Sequence, residues 1–185
     1  MKSEATRPGW ALSELERLHQ TVDRRASVLE RRHSARLECD RGCIRCCVDD
    51  LTVFEVEAER IRRDHRRLLL EGVPRPDGGC AFLDDNGACR VYESRPYVCR
   101  TQGLPLRWME TDVEGRRTEY RDICPLNERP QDPLESLGEQ DCWTIGPTES
   151  SLAQLQIEFG GTLRRVRLRD LFSDPRERGS RRSDP

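Results

Sequence analysis

The sequence predicts a small α+β fold: a long N-terminal helix, a cysteine-rich domain with two short hairpins, and a C-terminal helix. Three observations carry that expectation. Apolar residues recur every three or four positions over residues 10–37, and again over 53–71 and 148–159. Two short apolar runs flank the turn residues Asp85-Asn86-Gly87, and a second hairpin turns at Glu114-Gly115. Eight of the nine cysteines lie between Cys39 and Cys124, so that distant segments share one kind of side chain.

At 185 residues the chain suits one domain with helical additions. We divide it into an N-terminal helical extension (1–37), a cysteine-rich domain (38–172) and a disordered polar tail, SDPRERGSRRSDP (173–185). Charged residues make up 36% and apolar ones 35%, with a mean hydropathy of −0.82. That is little material for a large core, so a centre cross-linking distant segments would supply stability that burial does not. The net charge of −2 gives no global field toward nucleic acid or membrane. Basic residues are interleaved with acids and aromatics are only 5%, so no basic stacking face emerges and no nucleic-acid partner is expected. The N-terminus, MKSEATRPGW, lacks an apolar targeting core, and no stretch approaches a membrane span. A soluble cytoplasmic protein is expected.

The long helix over 10–37 carries Leu15, Leu18, Val22, Ala26, Leu29, His33 and Leu37 on one narrow stripe, with Ser13 and Glu16 as a capping box. Its other faces are rich in Arg and Glu, so it either lies across the domain or pairs with a helix of a protein partner. His33 reads as a packed histidine rather than a ligand. A second helix over 53–71 follows, opened by Thr52 and Glu55 and closed by Gly72. Residues 80–100 form the first hairpin, after which Ser94-Arg95-Pro96 opens a short helix bearing Cys99. The second hairpin runs from Leu106 to Arg121. Polar loop fills 126–141. A helix over 148–159 and a strand or short helix over 166–172 close the domain.

The run CDRGCIRCC, with the spacing C-x3-C-x2-C-C, packs Cys39, Cys43, Cys46 and Cys47 into nine residues. In a reducing compartment such density argues for metal ligation; were the protein exported, disulfides would be the rival. Thiolates bind zinc tetrahedrally or hold iron–sulfur clusters, and this soft set excludes calcium and magnesium. Gly42 relieves the turn that lets Cys39, Cys43 and Cys46 converge. Adjacent side chains tend to diverge, so Cys47 faces a second site, bridges two ions or packs as a buried thiol. Together with Cys80, Cys89, Cys99 and Cys124 it suggests two four-ligand sites, or one cluster beside one zinc. Cys142 is as well read as a buried thiol. Four thiolates on a divalent ion leave a charge of about −2 to be offset by N–H groups and cations. Arg41, Arg45, Arg90, Arg95 and Arg100 stand beside cysteines, with Arg95 and Arg100 the better candidates.

The same residues resemble a known family. C-x3-C-x2-C-C, then C-A-F-L, then N-G-A-C-R-V-Y-E-S-R-P-Y-V-C-R is similar to the YkgJ-type cysteine-cluster family, named for zinc or iron chelation. The resemblance covers about Cys39 to Cys124. It implies chelation by Cys39, Cys43, Cys46, Cys47, Cys80, Cys89 and Cys99, and implies no particular reaction.

Two function classes follow. One is a metal-chelating protein without catalysis, since His19, His33 and His65 all lie in helical stretches away from the cysteine loops. The other is a small iron–sulfur redox or cluster-dependent enzyme, because C-x3-C-x2-C is also the spacing of radical S-adenosylmethionine enzymes, and flagellin lysine N-methylases resemble the cysteine-cluster family. The absence of alternating strands and helices argues against a full-size enzyme of that kind. Whether the protein is an enzyme stays open at the level of sequence.

Overall fold

A computed structural model of the chain describes residues 7–40 and 42–173. The tail expected at 173–185 falls, apart from Ser173, outside the described residues, as does Arg41. The rest is α+β, as the sequence predicts, with helices, two small sheets and a series of 3-10 turns.

Helix α1 spans Arg7–Arg32. Its buried positions, Ala11, Leu12, Leu15, His19, Val22, Ala26 and Leu29, follow the expected three-and-four spacing, and buried His33 lies just past its end. Ser13 does not cap it: the hydroxyl donates back to the Gly9 carbonyl at 3.1 Å, well inside the helix. The helix also ends five residues early. Arg32 donates to the Gln140 carbonyl and to Asp141 at 2.8 Å, His33 Nε2 contacts the Asp141 carbonyl at 2.7 Å, and Arg36 donates to the Asp132 carbonyl at 2.6 Å. The loop at 126–141 therefore grips the end of α1, and turns replace helix over 33–36.

The second expected helix starts later and is broken. Thr52–Phe54 forms strand β1, pairing antiparallel with β5 (Arg165–Arg167) in the register Val53 to Val166. β-Branched Thr52 and Val53 favour extended backbone, and the partner strand decides the matter over a local capping signal. Helix α2 (Glu55–Asp64) then begins, with the Phe54 N–H donating to Glu57 Oε2 at 3.3 Å. His65 leaves helical geometry, and α3 (Arg66–Glu71) completes the segment. Gly72 ends it in an extended rather than left-handed conformation.

Of the two hairpins, the second is fully formed. β2 (Leu106–Thr111) pairs with β3 (Arg117–Asp122) around Gly115, whose φ is +80°. β2 also pairs in parallel with β4 (Trp143–Thr144), giving the order β3-β2-β4. The first hairpin contracts to a tight turn closed by a single bridge between Leu83 and Cys89. Asp84 holds it, accepting from the N–H groups of Asn86 and Ala88 at 2.9 and 2.8 Å. Helix α4 (Tyr97–Arg100) has Pro96 just ahead of it as N-cap. Helix α5 (Pro147–Gly160) ends on left-handed Gly161, and a 3-10 segment, Arg169–Ser173, follows β5. Among the described residues no helix is long and apolar enough to cross a membrane.

Two cores result. The larger joins α1 and α5 through Val56, Tyr97, Leu104 and Trp143. The smaller gathers Val53, Ala58, Ile61, Leu69, Phe82, Val91, Leu168 and Leu171, with Cys80 and Cys89 packed against it. Helix α2 contributes to both, and the cysteine loops lie alongside.

Candidate metal centre

The CDRGCIRCC loop is folded by its own backbone. The Cys43 N–H donates to the Asp40 carbonyl and the Cys47 N–H to the Ile44 carbonyl, both at 3.0 Å, which makes two successive turns. Gly42 adopts φ +94°, where side-chain-bearing residues rarely go. The Asp84–Gly87 turn packs onto this loop so closely that a Cβ at Gly87 would stand 3.1 Å from Ile44 and 3.5 Å from the Gly42 carbonyl oxygen. The Cys80 N–H donates to the Cys47 carbonyl at 2.9 Å, joining the two cysteine-bearing segments directly.

All nine cysteines are free thiols, and their mutual electrostatics show which are neighbours. Burial pushes the Cys39 thiol up against an opposing Asn127 hydrogen bond, and the charges of Cys43, Cys124 and Cys46 add to the rise. Cys47 is raised by its hydrogen bond to Cys46, then by burial and by the charges of Cys46, Cys80 and Cys99. Burial also raises Cys89, with Cys80 adding to it. Cys99 is pushed up to about 12 by burial, then by Cys80, Cys89, Glu57 and Cys46. Cys39, Cys43, Cys46 and Cys124 thus make one neighbourhood and Cys47, Cys80, Cys89 and Cys99 another, with Cys46 acting on members of both.

Cys46 and Cys47 meet at the boundary. Their side chains do not diverge as expected of adjacent residues: the Cys47 thiol donates to the Cys46 sulfur and holds Cys46 down to about 6. Among the described residues, however, no group of three or more Cys, His, Asp or Glu side chains is already arranged to hold a metal ion. The thiols are gathered without being closed on a point. Their donor chemistry nevertheless fits a soft metal, since the groups acting on Cys39, Cys47 and Cys99 include other cysteines and no histidine.

The cations differ in part from expectation. Arg100 is buried and committed elsewhere, to Asp23 at 2.6 Å and to the carbonyls of Arg95 and Glu93 at 3.0 Å each. Arg95 and Arg90 do act on Cys89, and Arg169 and Arg90 on Cys80, favouring the thiolates against burial. Arg45 is exposed. Arg169 donates to Asp49 at 2.5 Å and to the carbonyls of Arg75 and Gly79 at 2.8 and 3.2 Å, fixing the approaches to both Cys47 and Cys80.

Three features escaped sequence reasoning. Arg169 sits in an unremarkable basic stretch. Asn127 is fully buried beside Cys39, with only Cys124-Pro125 upstream to hint at a turn. Beneath Cys99 lies a polar network: Glu57 accepts from the Tyr97 N–H at 2.8 Å and stands 3.5 Å from His19 Nε2, while the Tyr97 hydroxyl donates to Glu149 at 2.5 Å and accepts from Trp143 Nε1 at 2.8 Å. The periodicity of α1 did place His19 one position from the apolar stripe. Cys142, by contrast, is 1% exposed. Burial raises its thiol, and the charged groups acting on it are Arg121, Asp141, Arg107 and Glu119 rather than other cysteines.

The segment thus has the makings of a cysteine-cluster domain, with the long helix packed beside it. Residues 38–125 match the CxxCxxCC family, described as "Putative zinc- or iron-chelating domain"; this is the cysteine-cluster family that the sequence resembles. The match covers a little under half of the chain, takes in all eight clustered cysteines and leaves out Cys142. No curated protein and no solved structure matches the chain.

Proposed function

We propose that this protein holds soft metal in two adjoining four-thiolate sets: Cys39, Cys43, Cys46 and Cys124 in one, Cys47, Cys80, Cys89 and Cys99 in the other. The observation that carries this reading is the junction at Cys46 and Cys47, where the Cys47 thiol donates to the Cys46 sulfur: the cysteines acting on Cys39 are Cys43, Cys124 and Cys46, while Cys80 and Cys99 act on Cys47 beside Cys46 itself. Four thiolates suit tetrahedral zinc and equally a four-cysteine iron–sulfur cluster. Metal draws the gathered thiols the last distance together, so binding and local ordering are one event. Arg90, Arg95 and Arg169 offset the negative charge of the second set.

The proposed activity is chelation, in the cytoplasm, without nucleic acid as partner. Anaerobic purification with elemental analysis and a visible spectrum tests it. Stoichiometric zinc in a colourless protein identifies zinc sites; a broad visible charge-transfer band identifies iron–sulfur. Cys43→Ala and Cys80→Ala should each lose the metal of one set and keep the other's. Full metal content in both variants would overturn the assignment.

A further inference from the structure

We propose that Asn127 is a positioning residue for the metal centre, its side-chain amide holding the Cys39 sulfur in ligating orientation. This rests on the reading of Cys39 as a ligand. Asn127 has none of its surface exposed, and its amide is used on both sides. Nδ2 donates to the Gly103 carbonyl at 2.8 Å and to Cys39 Sγ at 3.4 Å, while Oδ1 accepts from the Glu38 N–H at 2.8 Å. The orientation of the amide follows from these partners. Turned over, it would set NH2 against the Glu38 N–H and oxygen against the Gly103 carbonyl.

Cys39 is where such help matters. It is exposed where the other cysteines are buried or half-buried, and it lines a cavity of about 350 Å3 with Glu30, Ser34, Leu37, Gln102, Gly103 and Leu104. An exposed thiol is free to turn toward solvent. Two contacts prevent this here. Gly103, at φ +89°, presses its backbone so near that a Cβ would stand 2.5 Å from Cys39 Sγ, and the amide of Asn127 donates to that sulfur. Such a donor stabilises thiolate charge and aims the remaining lone pairs, as partners of metal ligands do generally. Asn127 also lies in one turn with Cys124, its N–H donating to the Cys124 carbonyl at 2.7 Å. One residue thus sets two members of the same thiol set. It stands two positions beyond the segment that matches the family.

The test is a double-mutant cycle on the full metal-free chain, titrated with zinc(II) against a chromophoric chelator. Asn127→Asp keeps the acceptor for Glu38 and removes the donor to sulfur; it should weaken zinc binding by about 10–100-fold. In a Cys39→Ala background the same change should cost less than about twofold, because there is no sulfur left to position. Equal losses in the two backgrounds would mark Asn127 as a scaffold residue only, and unchanged affinity in the parent background would also overturn the proposal. If the carboxylate prevents folding, Asn127→Leu, which is of similar size and has no donor, is read in the same cycle with the same criteria. Failure of the parent chain to bind zinc or any other soft metal would overturn the chelation reading, and this proposal with it.

Discussion

His19 is 2% exposed within α1, and its protonation state follows from its neighbours. Arg60 Nη1 lies 2.8 Å from His19 Nδ1, and since arginine only donates, that nitrogen is an acceptor. The ring is therefore neutral, with its proton on Nε2 facing Glu57, and the contact with Glu57 is not a charged pair. Burial, the largest influence, likewise holds the histidine below its ordinary value of 6.5. As pH falls, the unfolded chain takes up this proton before the folded one. The stability that His19 contributes is thus complete above pH 6.5 and lost progressively below it. Denaturation midpoints measured across that range should fall toward acid, and His19→Gln should flatten the fall. His65, also lowered by burial, leaves a residual slope; an undiminished slope would refute the assignment. At Tyr97 the hydroxyl serves both Trp143 and Glu149, so Tyr97→Phe should cost about 1–3 kcal/mol through the buried indole N–H it strands. Cys142→Ala should leave metal content unchanged. At this scale the cysteine-cluster resemblance was legible because it is carried by residue type at close spacing. Asn127 and Glu57 were not, because a buried polar side chain takes its meaning from partners more than thirty positions away.

Helices α1 and α5 could be read directly from spacing, and the hairpin around Gly115 from its turn residues, because each is decided by local sequence. The segment 52–71 could not. Its Thr-x-x-Glu signal is local, but strand β1 exists only because Arg165–Arg167 arrives to pair with it, more than a hundred residues later. The end of α1 failed for the same reason, being set by bonds from Arg32, His33 and Arg36 to the 132–141 loop. Among the connections, the one at Gly103 combines a positive φ with a close neighbour. Gly103→Ala meets both a positive φ and the Cys39 sulfur, so it should destabilise the protein by about 1–3 kcal/mol from backbone strain alone. Gly115→Ala has the same sign of φ but open space around it and should leave the thiol set intact. Alkylation of Cys39 in the metal-free chain separates the two: faster in Gly103→Ala, unchanged in Gly115→Ala.

The two cores differ in their relation to the thiols. The larger, between α1 and α5, has no cysteine among its members, whereas the smaller packs Cys80 and Cys89 at its edge. Metal removal should therefore act unevenly. Chelated protein should keep most of its helical circular dichroism, while residues 39–50 and 73–101 become the first sites of limited proteolysis. Uniform cleavage along the chain would show that the cores do not unfold separately. Arg169 gives this arrangement an order in time. It holds Asp49, beside Cys47, and the carbonyls of Arg75 and Gly79, before Cys80, yet it lies 120 positions after the first of these. A ribosome delivers the cysteines long before it delivers that clamp. On the proposed division, the first thiol set would be complete once Cys124 has emerged. The second would wait, with its thiols unsecured, until Arg169 has followed.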